Sequence, residues 1–514
     1  MSTVAPDETA LRVEIVHALR RWPSAGLAVA VVRDGSLELF HGHGVADVAA
    51  GTPVTEDTVF RIGSIAKTFT AIAVMQLWER GLVDLDAPAD GYLRAFRLVP
   101  AKASFRQATV RHLLTHTAGI PALRSLADLF RPTLGWGVRE GRAVPPLAEY
   151  YKRGLRIEVE PGTKWVYGNH GFAALGQIVE DVSGEPFDRY LREHVFGPLG
   201  MEDSDLVRTE RIRPRLATGY SLGSRGLRPV ADRETATAGA SAVHSTTTDM
   251  ARYVAALLDG GANVHGSLLE PGTLATMFEP HYRPDPRAPG MGLGFFVAEE
   301  GGHRTVEHHG ILPGFLSEMV VAPDDGFGVL AFTNAGTLSG RGAPVPLVNA
   351  LVRRLLGLAS DAPPDVPPHA ETWSDVCGWY APERGALTNL PVTAMLGAGV
   401  EVVVHRGRLM MRGLTPVPPM GRGVRLHPDR DDPDVFGIDL SELGLGSMLA
   451  VFARDSANRV TALHFGPFSL RKRPDARNPR RWANGALAVG GAAALALHRR
   501  RRRRRRRSAA GTGR

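Results

Sequence analysis

The sequence predicts an α+β protein: an antiparallel sheet flanked by helices and carrying a helical insertion, followed by a small C-terminal antiparallel β-barrel domain. Three observations predict it. Strand-like alternation over Gly26–Phe40 returns late in residues 1–358 as a meander of four short runs. Between them lies Phe60–Arg80, FRIGSIAKTFTAIAVMQLWER, almost continuously apolar, as a helix at a domain centre is. Beyond a proline-rich break, residues 370–472 are dominated by short alternating runs.

Taken in order, the N-terminal MSTVAPDETALRVEIVHALRRW reads as an amphipathic helix, with early acidic residues and no apolar run of the kind a signal peptide needs. Gly26 to Phe40 alternates as two strands joined at Asp34-Gly35, a hairpin signal. His41 and His43 could share a strand face, but no third ligand accompanies them, and they read as strand-edge histidines. Residues 82–240 read as mainly helical, punctuated by LLTHTAGIP and by PGTKWVYGNHGFAALGQIVEDVSG. A helix follows over Thr247–Leu258, then strands near Leu293–Val297, Thr305–His309, Ser317–Val321 and Val329–Thr333, and a closing helix over Pro346–Leu356. Ala359–His369, with four prolines, is a linker. Strands then fall at Glu401–His405, Arg408–Met411, Phe436–Leu440, Met448–Ala453 and Val460–Phe465, a unit in which no chemistry is legible. Residues 473–514 form an Arg-rich tail with a short apolar segment, Trp482–Leu497. Sixteen residues span about 24 Å as a helix, short of a hydrocarbon core of about 30 Å. With Arg480 and Arg481 before it and Arg499–Arg507 after it, loose attachment to an anionic inner membrane surface is expected.

Ser64 and Lys67 are the polar residues that open the central helix. At i, i+3 they share a helix face, the geometry of a nucleophile and its base. A lysine accepts a proton only where burial lowers its pKa, and the positive end of a helix favours developing negative charge at Ser64. With 22 serines and 5 lysines in 514 residues, chance supplies roughly 0.2 S-x-x-K matches. Two occur, the second being Ser469–Lys472 in a strand-like segment with no buried helix behind it. Of 61 basic residues 56 are arginine, yet this position is lysine, and arginine cannot act as a base. The motif alone also fits a capping serine beside a solvated lysine.

At 514 residues the chain exceeds one ordinary core, and two or three folded units are expected. The net charge of +8 is uneven: 13 arginines and no acidic residue lie from Arg477 onward, leaving residues 1–476 with 48 basic against 53 acidic side chains. That mildly acidic body argues against nucleic acid as a partner. Cys377 is the only cysteine, which excludes an intramolecular disulfide and a Cys-rich zinc site, and no cofactor or metal is expected.

Three elements then occur in a fixed order: Ser64-Ile65-Ala66-Lys67, Tyr167-Gly168-Asn169 and His308-His309-Gly310. With the flanking LLTHTAGIP, STTTDMARYVAALLDGG and GILPGF, over about residues 10–358, the chain resembles the serine β-lactamase and penicillin-binding-protein superfamily. Within it the likeness is to class C β-lactamase-like serine hydrolases, which include D-Ala-D-Ala carboxypeptidases, D-aminopeptidases and esterases. The resemblance implies a β-lactamase/transpeptidase-like fold, and the terminal domain more loosely resembles the lipocalin-like domain of some members. A class A enzyme would carry S-x-N between the outer motifs, whereas Ser456-Ala457-Asn458 follows the third; an α/β-hydrolase would carry G-x-S-x-G, and Gly239-Ala240-Ser241-Ala242-Val243 lacks the last glycine.

By this resemblance Ser64 attacks a carbonyl, Lys67 and Tyr167 move the proton, and Asn169 orients Lys67 and the substrate. His308, His309 and Gly310 line the substrate, and the N–H groups of Ser64 and Ile311 form the oxyanion hole. His308 replaces the usual lysine of the third motif. An imidazole there can be neutral near pH 7, which favours a small ester or neutral amide over substrates bearing a carboxylate, so esterase-like or D-amino-acid peptidase-like activity is expected rather than efficient β-lactamase activity. The competing reading is a catalytically weak penicillin-binding or sensing module. A cytoplasmic location, membrane-associated through the tail, is expected.

Overall fold

Strand β1 (Gly26–Arg33) is the spine of the main sheet and is buried on both faces, which suits its run of small and β-branched residues. Asp34 and Gly35, both left-handed at φ 49° and 71°, turn the chain into β2 (Ser36–Asp47), as the Asp-Gly pair predicts. Four later strands, β3 (Phe296–Glu300), β4 (His303–Leu312), β5 (Phe315–Ala322) and β6 (Phe327–Thr333), run as an antiparallel meander whose last member pairs back onto β1, with Leu27 opposite Thr333. The order is β3-β4-β5-β6-β1-β2, with two-residue strands at each edge. This computed structural model describes residues 8–480 except 124–137, 140, 224–225, 338–341, 359–367, 384, 386–387, 389–391, 394–395, 416 and 444.

The period of two sorts the sheet's side chains onto two helical layers. Leu27, Val29, Val31 and Val329 meet Leu11 and Ile15 of α1 (Glu8–Arg21) and Leu347 and Leu351 of the C-terminal helix Pro344–Leu355. Ala28, Ala30 and Val32 face the larger core, which contains α2 (Ala66–Glu79), α3 (Asn169–Ser183) and α4 (Thr247–Leu258). Every residue of α2 from Ala66 to Leu77 is buried. At roughly 1.5–3 kcal/mol for each large side chain removed from water, Phe69, Ile72, Met75 and Leu77 make it the best-anchored helix around the site.

Three expectations are corrected. The helix does not begin at Phe60: Phe60–Arg61 pair with His244–Ser245, Gly63–Ile65 form a 3-10 turn, and α2 starts only at Ala66. Residues 82–240 are not mainly helical: α3 is accompanied by helices of four or five residues and by short strand pairs such as Leu98–Pro100 with Leu155–Ile157. Glycines at positive φ, among them Gly119, Gly154 and Gly162, break the chain there, and its apolar residues reach the core from loops. The strand expected over Leu293–Val297 starts only at Phe296, because Gly294, at φ 86°, turns against α2; a Cβ on it would lie 2.5 Å from that of Ala71.

Residues 378–473 close into an eight-stranded antiparallel barrel. Five strands match the expected runs; Gly378–Pro382, Val424–Pro428 and Phe468–Arg473 add to them, and Tyr380, Leu409, Phe436, Phe452 and Leu463 fill the interior. The linker, apart from Pro368 and His369, and the segment Trp482–Leu497 with Arg481 and Arg499–Arg507 lie outside the described residues. Among the described residues no helix is long and apolar enough to cross a membrane.

Asn334, at the end of β6, joins three parts of the fold through one buried amide. It accepts from Gly26 N (2.7 Å) and donates to Val45 O (3.1 Å), Ala46 O (2.9 Å) and Thr218 O (3.1 Å). Asn334→Ala leaves those backbone groups without it where the side chain is fully buried, so unfolding in urea should cost about 3 kcal/mol less than in the parent. A loss under about 1 kcal/mol would mean that water or a rearranged backbone replaces the amide.

Candidate active site

The close approach of two glycines places Ser64. A Cβ on Gly63, which is left-handed at φ 56°, would lie 3.0 Å from Ile311 N, and a Cβ on Gly310 would lie 2.1 Å from Ile62 O. The 3-10 turn therefore rests directly on the backbone of β4, with the N–H of Ile311 beside it. Ser317, opposite Gly310 on β5, donates its hydroxyl to Ile62 O at 2.8 Å and fastens the same turn. Ser64 itself is half-buried and sits one short turn before α2, still at the helix's positive end.

Lys67, fully buried in the first turn of α2, reaches three neutral oxygens: Ser64 Oγ at 3.0 Å, Asn169 Oδ1 at 2.9 Å and Ala240 O at 3.0 Å. Its Nζ also lies 5.1 Å from the ring centre of Tyr167 and 5.7 Å from that of Phe172. Burial lowers its pKa from 10.5 to about 7. The Ala240 carbonyl comes from the short helix Ala238–Ser241, to which no sequence signal pointed.

Asn169 is the first residue of α3, so its side chain leaves a rigid helix terminus. Tyr167, two residues earlier, turns its hydroxyl toward Ser64; burial raises its pKa to about 12 and the Ser64 hydroxyl holds the rise back. Its ring packs on His116, with centroids 4.4 Å apart. His116, the histidine of LLTHTAGIP, is left-handed at φ 57°, and its carbonyl accepts from Val166 N at 2.8 Å, which ties that segment to the Tyr167 loop. Burial and then the charge of Lys67 hold the His116 pKa well below the ordinary value, so it is neutral. Sequence reasoning quoted the motif without assigning this residue; a histidine between Thr-rich and Gly-rich turns was the available signal.

His308 is fully buried on β4, with Nδ1 at 2.8 Å from His309 O. Burial, then Lys67, keeps it neutral, and the same two causes bring His309 to about 4. Phe296 packs on both rings, at 5.4 Å from His308 and stacked at 5.6 Å on His309. The structure thus brings Ser64, Lys67, Tyr167 and Asn169 into direct mutual reach and sets His308, His309, Gly310 and Ile311 along the adjoining strand. His41 lies elsewhere, 3.0 Å from an Arg12 guanidinium nitrogen. Among the described residues one group could hold a metal ion, Glu185, Glu193 and His194, none of which belongs to this site.

Comparison with known proteins gives the family. The Beta-lactamase family profile matches residues 18–352. The chain is 31% identical to Penicillin-binding protein 4 of Amycolatopsis lactamdurans, over 70% of this chain and 94% of that protein. It is 34% identical to Esterase EstB of Burkholderia gladioli, over 38% of this chain and 51% of the esterase. Among solved structures, the octameric penicillin-binding protein homologue from Pyrococcus abyssi superposes with a TM-score of 0.60 at 25% identity, covering 91% of this chain and all of that one. The chain belongs to the Beta-lactamase family and is a serine hydrolase.

Proposed function

We propose that this enzyme hydrolyses a small ester or neutral amide through an acyl-enzyme on Ser64, with Lys67 as the base that activates it. The observation that carries this reading is the trio of neutral oxygens around a fully buried Lys67, one of them Ser64 Oγ. Two groups could take the serine proton, and their pKa values separate them. Lys67 at about 7 is half unprotonated near neutrality, whereas Tyr167 at about 12 is not. Tyr167, facing the same hydroxyl, suits the return of a proton to the leaving group. The N–H groups of Ser64 and Ile311, held by the Gly63–Gly310 contact, suit the tetrahedral oxyanion. A neutral His308 where a fixed cation would bind a carboxylate favours uncharged acyl donors. The relative named as an esterase supports the ester reading, and the relative named as a penicillin-binding protein supports acylation of Ser64.

The reading makes three predictions. Lys67→Arg keeps charge but removes the base, and should slow acylation by about two orders of magnitude, roughly 3 kcal/mol of barrier, with the fold intact by thermal melting. Burst kinetics with a p-nitrophenyl ester and mass analysis after a fluorophosphonate measure it; a wild-type chain that forms no adduct on Ser64 would return the protein to the binding-module reading. In pH terms the base must be unprotonated, so kcat/KM should be flat above about pH 7 and fall roughly tenfold per unit below it. A profile unchanged down to about pH 5 would remove Lys67 as base. His308→Lys should raise turnover of substrates with a carboxylate beside the scissile bond relative to neutral esters, and unchanged relative rates would mean that position 308 does not set substrate charge.

A further inference from the structure

The barrel touches the catalytic half at the loop that carries Tyr167. Phe468, at the barrel rim where the Gly466-Pro467 turn ends a strand pair, meets Trp165 edge-on, with ring centres 4.6 Å apart and planes at 80°. Trp165 is buried, and its indole N–H has no hydrogen-bond partner, so its orientation rests on ring contacts. Those contacts are Phe468 on one side and Tyr167 (5.6 Å), His116 (5.8 Å) and Phe296 (5.9 Å) on the other. The barrel unit holds this loop and the segment beside it at further points. Glu383 pairs with Lys164 at 3.2 Å, Thr388 Oγ1 accepts from Ala122 N at 2.9 Å, and a Cβ on Gly385 would lie 2.7 Å from Val159 Cγ2. Ala122 in turn lies against Gly168, between Tyr167 and Asn169. Across the interface Arg287 binds Asp432 at 3.0 Å and Phe452 O at 3.1 Å, which fixes the barrel from a second side.

We propose that the C-terminal barrel is part of the catalytic unit, with Phe468 a positioning residue that holds Tyr167 against Ser64 through Trp165. The loop holding Tyr167 is covered by the barrel at Lys164 and Trp165. An aromatic side chain without a hydrogen-bonded anchor stays in one orientation only while its neighbours fill the space around it. Removing the Phe468 ring opens space beside Trp165 and loosens Tyr167, while Ser64, Lys67 and Asn169 stay fixed on their own turn and helices. The same gap admits water toward Lys67, which is faced by Tyr167, His116, His308 and His309 and by no carboxylate among the described residues.

The inference rests on the reading of Tyr167 as a proton carrier, and the test separates the two. With a neutral p-nitrophenyl ester, Phe468→Ala in the full chain should lower kcat about tenfold with KM within about twofold, and should move the acid limb of the pH profile to higher pH. Phe468→Tyr, which restores a ring, should return both to near the parent. If Phe468→Ala does not fold, Phe468→Leu keeps the apolar volume without the ring edge and should show the same changes at smaller size. Tyr167→Phe, measured alongside, should be the most damaged variant. If Tyr167→Phe is crippled while the folded Phe468 variants keep parental kcat and pH profile, the positioning role is overturned and the Tyr167 reading stands. If Tyr167→Phe is as active as the parent, both are overturned.

Discussion

The site depends on one unfavourable act, the burial of an amine without a counter-charge. Lys67 meets three neutral oxygens and, among the described residues, no carboxylate. Lowering its pKa from 10.5 to about 7 disfavours the charged form in the folded state by an amount on the order of 5 kcal/mol. The packing of α2 supplies what holds the lysine there: a helix buried through Leu77 cannot rotate to let the side chain reach solvent. The neighbouring imidazoles follow from the same environment. His116, His308 and His309 are neutral because they are buried and because Lys67 carries what charge the site admits.

Around that lysine the fold divides its tasks. The sheet presents β4, and the Gly63–Gly310 approach sets the serine turn against it, so the proposed nucleophile and N–H donors are placed by backbone rather than by long side chains. The helical side contributes Lys67 and Asn169 from the first turns of two largely buried helices. Tyr167 is the exception. It comes from a loop packed by aromatic side chains and touched by a barrel far along the chain. On the proposed reading the C-terminal barrel, in which the sequence displays no chemistry, takes part in the chemistry through packing alone.

Much of this was legible because it depends on short spacings. S-x-x-K encodes a helix face, Asp34-Gly35 encodes a turn, and four short runs separated by Gly and Asp turns encode the meander of β3 to β6. What escaped depends on contacts between distant segments. Nothing local marks Ala240 O as a lysine partner, Ser317 as the fastener of Ile62, or His116 as the residue under Tyr167; each acquires its part only when loops separated by scores of residues meet. The misread helical region has the same cause. Its apolar residues look like helix faces, but glycines at positive φ deliver them to the core one loop at a time. The extra turn before α2 was hidden because Gly63 was read as helix interior, when its φ of 56° lets the chain approach β4.

The central claim is that Lys67 exchanges its proton near neutrality in the resting enzyme, and it can be observed without substrate. The chain holds only 5 lysines, so NMR of protein labelled with ¹³C at lysine Cε gives a spectrum in which the Lys67 signal is assigned by its absence from Lys67→Arg. The account predicts that this resonance titrates with a midpoint of about 7. A midpoint near the ordinary lysine value of 10.5 would mean that the ammonium persists in the site and that another group takes the proton from Ser64.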